Sequence, residues 1–183
     1  MTRNNDNTGW RLAQTVTIPG EPVGKGRPRF NRRTGRPFTP AKTVEFEKRI
    51  GWLTRNEPID GPVWVDVLAV FTRPQRLNRK ADPPGLLFYA GRNDLDNVIK
   101  AANDGIQGRA FHNDRQVVDI TARARYSEKP TEPIHGARTE ITIYASNQPT
   151  NQPTNQQQET DNDDEPAEDL APSATRPGNS RSN

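Results

Sequence analysis

The chain predicts an α+β fold of mixed α/β order: a small single domain in which helices pack on a mixed β-sheet, followed by a disordered acidic C-terminal tail. Three observations carry this. Stretches of alternating, β-branched residues recur at four places, two stretches with apolar residues at helical spacing lie between them, and the last 38 residues contain almost nothing apolar. At 183 residues, 30% hydrophobic and with 17 prolines, the chain has material for one core but not for a core along its whole length. Residues 1–12 read as a flexible lead, 13–145 as the folded domain, and 146–183 as a low-complexity tail.

The first strand is expected at Gln14–Gly20, "QTVTIPG", stopped by Pro19-Gly20. Glycines and prolines prevent a regular element in "EPVGKGRPRFNRRTGRPFTP", which reads as a long basic loop or irregular hairpin; Lys25, Arg27, Arg29, Arg32, Arg33 and Arg36 place six cations in twelve residues. Thr39 as N-cap and Pro40 at the first helical position open a helix whose Phe46, Ile50 and Leu53 share a face. Pro62–Phe71, "PVWVDVLAVF", is apolar on both faces for most of its length, as a central strand should be. A basic, proline-containing excursion, "TRPQRLNRKADPPGLLFYAGR", leads to a second helix over Asn97–Ile106, with Val98, Ala101, Ala102 and Ile106 inward and Gly105 or Gly108 near its end. Gln116–Ser127 and Arg138–Ala145 alternate as the last two strands.

Charge separates the domain from the tail. The whole chain carries +3, and the tail sets seven acids against Arg176 and Arg181 for −5, so residues 1–145 carry +8. A body so basic favours a polyanion such as nucleic acid, with solubility as the plainer explanation. With no cysteine and only His112 and His135, thiolate zinc sites, disulfides and histidine-rich metal sites are excluded. The N-terminus lacks the apolar run of a signal peptide and no stretch is long enough to span a membrane, so no membrane association is expected and a cytoplasmic setting fits.

The chemistry concentrates in "NDLDNVIKAANDGIQGRAFHNDRQVVD", Asn93–Asp119. Asp94 and Asp96, two apart in an extended segment, would point to one side, an arrangement comfortable beside a cation. Asp114 ends the turn after the helix; if the next strand pairs beside the "DLD" segment, all three carboxylates converge into an oxygen-ligand site suited to Mg²⁺ or Mn²⁺. Helix capping by Asn93, Asp94 or Asp96 and an Asx-turn at Asp114 are the structural alternatives. Lys100, four residues beyond Asp96, either forms an (i, i+4) ion pair or neutralises charge on a phosphate oxygen. In the basic loop, exposed backbone N–H groups, guanidinium groups and the faces of Phe30 and Phe38 suit phosphate contact and base stacking.

On these residues the chain resembles the RusA family of Holliday junction resolvases, crossover junction endodeoxyribonucleases common in phages and prophages. The pattern is Asp-x-Asp-Asn, a lysine four residues after the second acid, a small-residue helix, and an acidic turn running into Gln-Val-Val; "GKGRPRF" looks like the family's basic loop, and the likeness extends from Val16 to Tyr144. The resemblance implies a mixed-sheet domain working as a homodimer on branched DNA, above all the four-way junction, in recombination and repair. It implies Mg²⁺, with Mn²⁺ as substitute, and paired symmetrical phosphodiester cleavage without a small-molecule cofactor, in a nucleoid-associated, phage-encoded or host setting. It places metal on Asp94, Asp96 and Asp114, assigns catalysis to these with Lys100, and assigns DNA contact to Lys25, Arg27, Arg29 and Lys100. One departure is Asn113, where many members carry an acid. A non-catalytic DNA-binding protein of the same fold, and a metal nuclease preferring flap or other branched DNA, remain open alternatives.

Overall fold

The computed structural model describes residues 9–148. The elements run β1 (Trp10–Pro19), β2 (Arg29–Phe30), β3 (Pro37–Phe38), α1 (Ala41–Leu53), β4 (Val63–Phe71), β5 (Leu87–Phe88), α2 (Leu95–Ile106), β6 (Val117–Tyr126) and β7 (Arg138–Ser146), with short 3-10 turns at Gln75–Leu77 and Asp114–Gln116. Five strands form one mixed sheet in the order β1-β7-β4-β6-β5, while β2 and β3 make a separate two-stranded ladder. The expected α+β class holds.

β4 is the centre of the sheet, antiparallel to β7 and parallel to β6. Its inward Val63, Val65, Val67 and Ala69 have no exposure, which is why the sequence there is apolar almost without interruption. Parallel pairing of β4 and β6 demands a crossover, and α2 supplies it, running back along the sheet between them. Val98, near the start of α2, packs with Phe71 and Tyr126 at the strands' C-terminal ends. Ile106, at its finish, packs with Val63 and Phe111 at the other end.

The main core joins Phe46 and Ile50 of α1, Ala101, Ala102 and Ile106 of α2, and Val16, Ile18, Ile141 and Ile143 of β1 and β7. Both helices therefore cover one sheet face. The opposite face carries a smaller aromatic stack, Trp64 on Tyr144 at 4.3 Å with Trp10 edge-on to Trp64 at 6.2 Å. The helices cross closely because small residues meet: Gly105 sits against Ile50, where an added Cβ would lie 2.7 Å from the Ile50 Cβ, and Gly51 faces the Gly105 carbonyl.

Several boundaries differ from the expected ones for local reasons. β1 begins at Trp10, since Trp10–Leu12 pair with Tyr144–Ser146. Pro40, not Thr39, occupies the N-cap of α1 and no side chain caps it; the Thr43 and Val44 N–H groups bond the Pro40 carbonyl instead. α2 starts two residues early, at Leu95, and Gly105 lies within it while Gly108, with φ of 73°, turns the chain beyond it. Ser146, the expected first tail residue, closes β7, with its N–H on the Pro62 carbonyl. Residues 149–183 of the expected tail and 1–8 of the lead lie outside the described residues.

The fifth strand comes from the excursion after β4. Arg73, 5% exposed, donates to the carbonyls of Leu77, Pro83, Pro84 and Gly85, gathering the proline-rich loop around one guanidinium. The loop then delivers Leu87 and Phe88 to the edge of β6, opposite Tyr126 and Arg125. Two residues are all that pair.

Candidate functional site

The acidic segment is built on the first turn of α2. Asp94 is the N-cap residue, with extended backbone, but its carboxylate accepts no backbone N–H; it meets only the Asn97 side-chain amide at 3.4 Å. Asp96 lies inside the first helical turn, so the two acids do not share the extended segment expected of them. Its carboxylate accepts from Lys100 Nζ at 3.1 Å, one turn along an exposed face. That hydrogen bond, against a smaller desolvation effect, holds the Asp96 carboxyl below the usual carboxylate range.

Asp114 opens the 3-10 turn before β6. The Asx-turn that was the structural alternative for Asp114 is made by its neighbour: the Asn113 side chain accepts from the Arg115 N–H at 3.1 Å, and Gln116 Oε1 accepts from the Asn113 N–H. Gln116 also donates to the Ile59 and Gly61 carbonyls, pinning the turn to the start of β4. Asn113, the departure from the familiar acid, thus does conformational work. The Asp114 carboxylate has no hydrogen-bond partner among the described residues and stands exposed.

The crossover puts these acids at opposite ends of α2. Asp94 and Asp96 lie beside the C-terminal ends of β4 and β6, and Asp114 lies where β6 begins, with a 12-residue helix between them. At 1.5 Å per residue that is about 18 Å of axis. Among the described residues no three acidic, histidine or cysteine side chains gather into a cation site. The donor chemistry, carboxylate oxygen throughout, fits a hard divalent cation. One chain sets two of the three donors at the start of α2 and the third beyond its end.

The "GKG" stretch is a clamp on both helices. The Lys25 N–H bonds the Asn97 carbonyl at 2.7 Å, and its ammonium pairs with Glu47 of α1 at 2.6 Å and with Asp104 of α2. Burial would lower the Lys25 pKa, but the bonds to Asp104 and Glu47 outweigh it and raise the value. Gly24 and Gly26 are small because backbone passes close by: an added Cβ would come within 3.0 Å of the Asn97 Cβ at Gly24, and 2.8 Å of Pro40 at Gly26. Lys25, predicted to touch DNA, is thus occupied by two carboxylates.

Beyond the clamp the chain projects as a small hairpin. Arg29 and Phe30 pair with Phe38 and Pro37, and Asn31 Oδ1 accepts from the Arg33 and Thr34 N–H groups to shape the tip. Arg27, Arg29, Arg32, Arg33 and Arg36 make no ion pair among the described residues, and Phe30 is 71% exposed. Five unpaired guanidinium groups around exposed aromatic faces have the chemistry that suits phosphates and unstacked bases. This surface is rooted, through Lys25 and Asn97, on the very turn that bears Asp94 and Asp96.

Asn97 entered the sequence pattern without a role of its own. It joins the loop backbone to the Asp94 carboxylate, and the adjacent "DLDN" was its only signal. His112 pairs with Asp60 at 3.1 Å on the surface near Asp114. Lys100 is where spacing put it, beside Asp96.

A mixed-sheet domain with an acidic helix start and an unpaired basic hairpin defines a nucleic-acid-processing class of protein. Residues 19–144 match the family of the endodeoxyribonuclease RusA, and the chain belongs to that family. It is therefore related to DNA-cleaving hydrolases, a family implying Holliday junction resolvase activity, directed at branched DNA and in general dependent on divalent metal. An uncharacterized protein, YqaN, of Bacillus subtilis strain 168 is 32% identical over 125 residues, spanning 62% of this chain and 88% of that one. Among the described residues no helix is long and apolar enough to cross a membrane.

Proposed function

We propose that this protein is a Mg²⁺-dependent endonuclease that resolves four-way DNA junctions by paired phosphodiester cleavage, acting as a homodimer. The observation that carries the reading is the rooting of the unpaired basic hairpin on the helical turn of Asp94 and Asp96, which sets a phosphate-binding surface beside carboxylates that capping leaves free.

Asp94, Asp96 and Asp114 would hold the cation, the third supplied by a second chain because a helix length separates it from the others. When bound, a divalent cation supplies charge for the phosphoryl oxygens and eases deprotonation of the attacking water. The chain's own residues do the rest. Asn97 orients Asp94 through its amide. Lys100 exchanges its bond with Asp96 for one with a non-bridging phosphate oxygen as negative charge grows there. Arg27, Arg29 and the hairpin-tip arginines hold the flanking strand, with Phe30 and Phe38 against bases exposed at a branch point. A two-fold dimer offers two identical sites to a two-fold substrate, so paired incisions follow from symmetry.

The test is cleavage of a labelled four-way junction beside a matched linear duplex, with Mg²⁺ or chelator, by wild type and Asp94→Asn. Paired nicks in the junction that require Mg²⁺ and vanish in the variant are expected. Tight junction binding without cleavage under any metal would make the protein a binding module, and preferential flap cutting would redirect the substrate assignment.

A further inference from the structure

The excursion that follows β4 spends its cations in two ways. Its sequence, "TRPQRLNRKADPPGLLFYAGR", holds Arg73, Arg76, Arg79, Lys80 and Arg92 against a single acid, Asp82. Arg73 turns inward and is consumed by loop carbonyls. Lys129 does the same from outside the loop, donating to the Arg79 carbonyl at 2.8 Å and the Asp82 carbonyl at 2.6 Å. Asp82 is consumed as well, since its carboxylate accepts from the Arg79 N–H at 2.7 Å. Arg76, Arg79 and Lys80 are what remains: all three are exposed, and their side chains make no hydrogen bond or ion pair among the described residues. Two cations thus fix the loop, and three more within five residues face solvent with no acid to meet.

This loop is fastened to the acidic turn. Tyr89 stacks on Phe71 at 4.1 Å, and its hydroxyl accepts from the Asn93 N–H at 3.2 Å. Leu77 and Leu87 pack with Leu95 about Val98 and Tyr126. The turn of Asp94 and Asp96 is therefore held at Asn93 by the excursion loop and at Asn97 by the Lys25 N–H, at the root of the hairpin. A basic segment grips each end of it. None of the three free cations pairs with Asp94 or Asp96, so holding that turn in place does not account for them.

We propose that Arg76, Arg79 and Lys80 form a second DNA-binding surface, which takes the phosphate backbone on the other side of the scissile bond from the strand held by the hairpin. The inference rests on the nuclease reading for the identity of the polyanion. Contacts of this kind position a duplex and carry no sequence information, which suits charged tips on a loop that offers no base-reading element. Their contribution is registration. A strand gripped on both sides of the carboxylates keeps its reacting phosphate over them, whereas one gripped by the hairpin alone is free to swing.

The experiment reads binding apart from cleavage, with the full chain, a labelled four-way junction and a chelator present. Each phosphate contact releases about 0.9 counterion, so Arg76→Ala with Arg79→Ala and Lys80→Ala should flatten the log–log salt dependence of Kd by about 2–3 and raise Kd at least about tenfold near physiological salt. The three side chains bond nothing in the chain, so the variant should fold, as circular dichroism will show. A second readout uses the absence of cysteine: Lys80→Cys carrying a photoactivatable aryl azide should label the junction. Trp52→Cys with the same group should label it poorly, since Trp52 is exposed where Gly51 meets the Gly105 carbonyl, at the other end of α2 from the acidic turn. An unchanged salt slope, or labelling from Lys80→Cys no stronger than from Trp52→Cys, would overturn the proposal; if the wild type still cuts junctions in Mg²⁺, the nuclease reading survives that result. A flattened slope with strong labelling, in a wild type that cuts under no metal, would uphold the surface and overturn the nuclease reading. A wild type that binds no DNA would overturn both.

Discussion

Lys25 and Lys100 show how one residue type reaches different ends by its partners. Lys25 has two carboxylates and spans α1 and α2, whereas Lys100 has one exposed carboxylate one turn away. Lys25→Ala should therefore lower stability by about 1 kcal/mol in thermal unfolding and weaken junction binding less than Arg27→Ala with Arg29→Ala, which should also flatten the salt dependence. An unchanged unfolding midpoint with a large loss of affinity would return Lys25 to the DNA interface. Lys100→Ala should raise the Asp96 carboxyl pKa toward its ordinary value, as read by NMR titration of the side-chain carbonyl. At this scale the sequence disclosed residue types and neighbours only. The Asp96–Lys100 contact follows from (i, i+4) spacing and was legible, but the partners of Lys25 stand 22 and 79 residues away and no local pattern names them. Asp114 was legible as an acid on a turn; that Asn113 would take the cap depended on Gln116 reaching back to close a capping box.

Elements were legible where periodicity and burial agree. β4 and β7 follow apolar patterns that the core then uses, and both helices were visible in the spacing of their buried residues. β5 was not, because two residues carry no period and their place depends on Arg73 gathering carbonyls from the loop before them. The role of Gly105 was hidden for a similar reason: a glycine near a helix end reads as a stop, while here it admits Ile50 of the other helix. Gly105→Ala tests this. Alanine is the better helix former by about 1 kcal/mol, but overpacking against Ile50 costs about 1–3 kcal/mol, so a net loss of roughly 1 kcal/mol is expected in denaturant unfolding. A gain in stability would mean that the crossing relaxes freely.

For the molecule as a whole, the ends of β6 and β7 are joined by Arg138, which makes a two-pronged bond to Glu128 at 2.9 Å and another to Glu140 at 2.6 Å. The Arg138 guanidinium holds the Glu128 carboxyl below its ordinary value of 4.5 and is itself raised in turn. A depressed acid contributes stability at pH above its unfolded value and loses it as pH falls through the folded one. Acid unfolding should therefore shift to higher pH in Glu128→Gln, whose stability at neutral pH should drop by about 1–2 kcal/mol; an unchanged acid transition would assign it to other carboxylates. The arrangement of the acidic residues was the least legible property at this scale, since whether α2 brings Asp114 back beside Asp94 depends on which end of β6 receives the neighbouring strand. Arg73 bears on that pairing, because it gathers the loop that carries β5 to β6. By fastening the excursion loop it lays β5 over the last two residues of β6 and so covers that end of the sheet edge. Were Arg73 replaced and β5 set loose, the bare edge of the sheet would lengthen by those two residues, and the chain should clump more readily on warming, with turbidity as the visible sign.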